Sequence, residues 1–166
     1  RMQRYASRYH WFQEKVALVS EVTQGTDIMT STKSYEYNDL MQPVSVTAQS
    51  GGNTVVTSMR YNTDFHWNDI PATDYYLTDP MLLALYKMHR NGYSGYPVET
   101  VTAKNGKVIS AEMTTYNSKL RPHKMYSLVT EASAASSFTY AHEANRRLIK
   151  DSRYELIRTN DAYDSK

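Results

Sequence analysis

The sequence predicts a mainly β fold: an antiparallel sheet of consecutive β-hairpin repeats with one packed α-helix over about residues 80–91. Three observations carry this. Strand-like runs meet at glycine-containing turns again and again, as in Pro97 to Asn117, PVETVTAKNGKVISAEMTTYN. The chain holds 15 tyrosines beside many Thr, Ser and Val residues, types that suit a pleated, half-exposed surface. Only one segment shows convincing helical periodicity.

Residues 1–13 form an irregular lead-in, because Arg1, Arg4 and Arg8 among Tyr5, Tyr9, Trp11 and Phe12 follow neither period 2 nor period 3.6. From Lys15 the pattern changes. Val16, Leu18 and Val22 alternate, Gln24-Gly25-Thr26-Asp27 supplies a turn, and the run from Ile28 to Tyr37 completes a first hairpin. Asn38 to Pro43 is a second turn, in which Asn38 and Asp39 can bond their own backbone and Pro43 can start a strand. The second hairpin follows, with Ser50-Gly51-Gly52-Asn53 at its tip and Val55, Thr57, Met59 and Tyr61 sharing a face on the return.

Thr63 to Tyr76 reads as a long connection. Asp79 then offers an N-cap, Pro80 a first helical residue, and Asn91-Gly92 a stop, so that Met81, Ala84, Leu85 and Met88 make one apolar stripe for the sheet. In the third hairpin Asn105-Gly106 demands a tight turn, and the row Ile109, Ala111, Met113 and Thr115 is expected to face the core. Strands are also expected over 124–131, 137–142 and 147–158, with a small-residue loop over 132–137 and a turn at 143–146.

A chain of 166 residues suits one domain, residues 1–166. Its 19 basic and 17 acidic residues are mixed along the sequence, which argues against nucleic acid as a partner. With no run of 18 apolar residues, membrane insertion by a helix is not expected. The absence of cysteine excludes disulfides and thiolate metal sites.

Tyr-Asn recurs at Tyr37-Asn38, Tyr61-Asn62 and Tyr116-Asn117, each time closing a glycine-turned hairpin. An aromatic at a strand end can pack across strands while Asn caps the next turn. These copies, with the ending Tyr154-Glu155-Leu156 through Asn160-Asp161-Ala162-Tyr163-Asp164-Ser165-Lys166, resemble RHS-like (YD-repeat) proteins of the Bacteroidetes type. Tyr163-Asp164 matches the family's signature dipeptide; no glycine follows it, and the earlier copies carry Asn in place of Asp. The resemblance implies a segment of a large exported protein (cell surface, periplasmic or secreted) whose hairpin arrays curl into a shell around a C-terminal toxin or variable domain. On that resemblance the chain is a non-catalytic structural module, its partners are other parts of its own parent chain, and its helix marks a specialised region.

No motif for catalysis, cofactor or metal stands out. His10, His66, His89, His123 and His142 are scattered, and nucleophile elbow, phosphate loop and dinucleotide fingerprint are all missing. Asp64, Asp69 and Asp74 in the long connection could serve a glycosidase only if two of them faced each other across a cleft. The alternative function is carbohydrate or peptide binding through aromatic faces at Phe65, Trp67, Tyr75 and Tyr76. Unpaired strand edges are expected to be covered by the lead-in or paired in an edge-to-edge homodimer.

Overall fold

The structure, a computed structural model, describes residues 20–24, 30–65 and 79–160. Among these residues ten strands run in order: β1 (Ser20–Gln24), β2 (Thr30–Tyr37), β3 (Pro43–Ser50), β4 (Asn53–Tyr61), β5 (Pro97–Lys104), β6 (Lys107–Tyr116), β7 (Pro122–Leu128), β8 (His142–Ala144), β9 (Arg147–Ile149) and β10 (Tyr154–Thr159). Among the described residues one α-helix, α1 (Pro80–Arg90), lies between β4 and β5. Eight strands form an antiparallel meander, β1-β2-β3-β4-β5-β6-β7-β10, and β8 pairs with β9 in a separate ribbon.

The hairpin tips follow their glycine and asparagine chemistry. Gly51 and Gly52 take φ of 54° and 76°, and Asn105 and Gly106 take 49° and 77°. Two successive left-handed residues give the turn whose twist matches the flanking strands. Asn105 also ties neighbouring tips together, since its Oδ1 accepts from the Thr54 amide at 2.8 Å and its Nδ2 donates to Asn53 Oδ1 at 3.2 Å. A third such turn, with Asn145 and Arg146 at φ 50° and 62°, joins β8 to β9.

The helix begins and ends as its punctuation requires. Asp79 Oδ1 accepts from the amides of Met81 and Leu82, at 2.9 and 3.4 Å, and the Asn91 amide closes back on Lys87. Leu82, Ala84, Leu85, Tyr86 and Met88 are buried, a wider stripe than the four-residue one expected, with Met81 only partly covered. This face packs with Phe65, Val101, Ala111, Met113 and Tyr116 into a core centred on β5 and β6. The β2 and β3 side of the sheet is only half-buried, so the helix divides the sheet into a covered and an open part.

Three expectations are corrected. Val108 is buried and Ile109 is exposed, because the register slips between Thr102 and Ala103: Thr102 faces Ser110 and Ala103 faces Val108, leaving Ile109 as the extra residue of a bulge. Ala111, Met113 and Thr115 do face inward. The strand expected over 137–142 is instead a short 3-10 turn (Ala135–Ser137), irregular chain through Ala141, and then β8. The long strand over 147–158 is two, broken where Asp151 Oδ1 accepts from the Arg153 amide at 3.0 Å and turns the chain. The lead-in lies outside the described residues.

Candidate functional site: hairpin joints, a buried carboxylate and a helix groove

The Tyr-Asn copies mark one joint made repeatedly. Tyr37 faces Pro43, Tyr61 faces Pro97 and Tyr116 faces Pro122, and in each pair of strands the register shifts just before the tyrosine. Glu36 faces Ser45 while Tyr37 faces Pro43, so the incoming strand carries one extra residue, Val44; Val98 plays the same part opposite Arg60 and Tyr61. Proline fits there because a strand's first residue can do without a ladder donor.

In the two short joints the atoms correspond one to one. Asn38 Oδ1 accepts from the Leu40 and Gln42 amides, both at 3.0 Å, and Asn117 Oδ1 from those of Lys119 and Arg121 at 3.0 and 3.1 Å. Met41 and Leu120 each take a left-handed conformation, at φ 59° and 61°, and each donates to the carbonyl of its own Asn at 2.9 Å. The third joint, after Tyr61, holds the segment with α1 between Asn62 and Pro97, and Asn62 there is buried and donates to the Tyr93 carbonyl at 2.6 Å.

The tyrosines also close the open ends of their own hairpins. The Tyr61 hydroxyl donates to the Pro43 carbonyl at 2.9 Å, and the Tyr116 hydroxyl to the Pro97 carbonyl at 3.0 Å. Burial pushes both phenols up, Tyr116 to about 12, with nearby Asp64 adding to the shift at Tyr61 and Tyr96 at Tyr116. The sequence showed Tyr-Asn; the equal spacing from Tyr37 to Pro43 and from Tyr116 to Pro122 was the further signal that would have revealed the whole joint.

A second cluster surrounds Glu99, which is 1% exposed on β5. Its Oε2 accepts from the Ala141 amide at 2.8 Å and its Oε1 from the Tyr154 hydroxyl at 2.9 Å. Arg60 Nε stands 3.9 Å from the carboxylate, while Arg60 Nη1 donates to the Ala141 carbonyl at 3.1 Å and the guanidinium lies over Tyr140. Burial pushes the Glu99 carboxyl above its ordinary value, against the opposing pull of these donors and Arg60. Tyr154 is pushed strongly up, by burial first and then by the Glu99 charge.

Asp151 runs the other way. The Arg153 guanidinium binds both its oxygens at 2.8 Å and the Thr139 and Arg153 amides donate as well, so its carboxyl is held well below the usual range. Glu99 therefore fastens the 130–153 segment to the sheet through Ala141, while Asp151 ties that segment to itself through Thr139 and Arg153. No sequence signal pointed to Glu99, since its partners lie far along the chain.

A groove of about 270 Å³ runs between α1 and the β6–β7 joint. Met81, Leu83 and Ala84 form one wall, Tyr116 and Asn117 the other, with Lys87, His123 and Lys124 also lining it.

Of the aromatic binding candidates, Phe65 is 2% exposed in the core, where its ring packs and presents no face to a ligand; Trp67, Tyr75 and Tyr76 lie outside the described residues. Aromatic surface does occur at Tyr93 and Tyr96, each nearly half exposed and set edge to face with centroids 6.1 Å apart. Asp64 accepts from the Tyr61 amide at 2.7 Å, and Asp69 and Asp74 lie outside the described residues. His142 Nδ1 is 2.8 Å from the Tyr140 carbonyl, and Glu143 accepts from the Arg146 amide at 2.7 Å. Among the described residues no group of three or more His, Asp or Glu side chains is arranged to hold a metal ion, and no helix is long and apolar enough to cross a membrane. No family model matches the chain, and no curated protein or solved structure matches it either.

Proposed function

We propose that this chain is a non-catalytic structural and interaction module, a run of hairpin units of the kind that build the β-shell of a large secreted or surface RHS-like protein. The observation that carries the proposal is the recurring joint, in which Tyr faces Pro across the same register shift at Tyr37, Tyr61 and Tyr116. A unit that hands its chain to the next in one fixed way is a device for extending a sheet. The buried groups best suited to acid–base chemistry, Glu99, Asp151 and Tyr154, are instead engaged in bonds between segments of the chain.

Extension would proceed from β10, the last strand in the sheet order, where Leu156 and Ile157 are 50% and 59% exposed. The partners in this proposal are neighbouring segments of the parent chain, with an edge-to-edge homodimer as the substitute when they are missing. Amide hydrogen exchange tests it: in a longer parent chain the β10 amides should exchange at least about tenfold more slowly than in this 166-residue chain. Equal rates at β10 in the two chains would refute strand addition.

A further inference from the structure

We propose that the sheet face turned away from α1 is an interface on which a second copy of this chain stacks face to face. Strand pairing fixes which residues share that face. Val101 and Ala111 are buried in the core beneath α1, so their chain neighbours Thr102 and Glu112 point to the opposite side. Following the register from these two across β5, β4 and β3 gives three parallel rows. The first holds Val55 beside Lys104, the middle one Val46, Thr57 and Thr102, and the third Met59 and Glu112 with Thr100 between them.

Charge on this face has a direction. Lys104, with Lys33 on its row, is exposed at one margin, and Glu112, with Glu155 on its row, is exposed at the other. None of these four forms an ion pair or a side-chain hydrogen bond among the described residues. Lys107, opposite Lys104, is paired with Glu131, and Arg158 lies a row further out on the edge strand β10. Val46, Thr57 and Thr102 between the margins are half-buried and uncharged, and the two threonine hydroxyls serve each other at 3.3 Å, so this strip can lose water at little cost.

A basic margin, a neutral strip and an acidic margin make a pattern that fits itself. A two-fold axis along the middle row turns a second copy so that its first row covers the third row of this one. Val55 then lies over Met59 of the second copy and Val46 over Val46, while Lys104 comes within one strand spacing, about 4.8 Å sideways, of Glu112 of the second copy. A surface of one sign, such as nucleic acid or an anionic membrane, is repelled by the acidic margin. The inference rests on the register alone and makes no use of the β10 edge.

The test is sedimentation equilibrium of the full 166-residue chain over a concentration series reaching about 1 mM. A monomer–dimer equilibrium is expected, weakening as salt is raised. Val46→Lys sets two like charges together at the axis and should weaken it by about tenfold or more. Lys104→Glu and Glu112→Lys should each weaken it by about tenfold, and the double variant should return to within about threefold of the native chain. Within one chain Lys104 and Glu112 stand two rows apart on neighbouring strands, about 14 Å, so recovery reports contact between copies. Both side chains are exposed, and the charge variants should keep the native unfolding midpoint. The proposal is overturned if the chain stays monomeric, if Val46→Lys and the single charge variants leave the dimer intact, as an edge-to-edge dimer would, or if the double variant is no tighter than the singles.

Discussion

The hydroxyl of Tyr154 donates to the carboxylate of Glu99 at 2.9 Å, a bond that fixes the start of β10 against the interior of β5, 55 residues earlier. Replacing Glu99 by alanine leaves the Ala141 amide and the Tyr154 hydroxyl without their acceptor and takes the carboxylate away from Arg60, and should cost about 3 kcal/mol or more in urea unfolding. Glu99→Gln keeps an acceptor for the Ala141 amide and lets its own amide N–H donate to the Tyr154 oxygen, reversing that bond, and should cost much less.

The same carboxylate gives a signed pH effect. Its folded value is raised, so the native state holds a proton that the unfolded chain releases near the ordinary value of 4.5. The stability it contributes is complete below that value and is lost as pH rises through the raised folded value. Asp151 has the opposite sign: its lowered value gives stability above the ordinary 3.8 that is lost as pH falls. Unfolding midpoints of the native chain relative to Glu99→Gln should therefore decline as pH rises above 4.5; a constant difference would contradict the buried, destabilised charge.

Asp79 has two tasks, capping α1 with Oδ1 and accepting from the Leu148 amide at 2.9 Å with Oδ2. Asp79→Ala should cost about 2 kcal/mol, above the typical ~1 kcal/mol for a lost cap alone. Asp79→Ser should recover only the capping part, because its single hydroxyl does not span both partners. Thermal unfolding of the two variants separates these contributions.

The short joints should tolerate aspartate and reject alanine. Asn38→Ala and Asn117→Ala each remove an acceptor for two amides and should cost about 1–2 kcal/mol, while the Asp variants stay within about 0.5 kcal/mol of the native chain. Met41 is 37% exposed and sits at φ 59°, so Met41→Gly should not destabilise and should gain up to about 1 kcal/mol. Thermal midpoints give all three.

Local chemistry was the legible part of the fold. Asn105-Gly106, Gly51-Gly52 and the Asp79-Pro80 helix start each specify geometry within four residues, and each forms as the sequence implies. What escaped depends on register between distant strands. Ile109 belongs to an apolar row in the sequence, and only the slip against Thr102 and Ala103 turns it outward and Val108 inward. Glu99 reads as an ordinary strand carboxylate, because the residues that bury and bond it are Arg60, Ala141 and Tyr154. The groove escaped for the same reason: its walls come from α1 and the β6–β7 joint, which lie apart in the sequence and meet only in the fold.

The repeated joint is tested most directly by equilibrium urea unfolding of Tyr61→Phe, Tyr116→Phe and the double variant. Each change deletes one hydroxyl that closes a hairpin onto its own first proline, at Pro43 or Pro97, and leaves the ring in place. Each single variant should lose about 1 kcal/mol, and the double variant the sum to within about 0.5 kcal/mol, as for two equivalent and separate joints. A loss at one tyrosine only, or at neither, would contradict the account of the chain as a series of identically closed units.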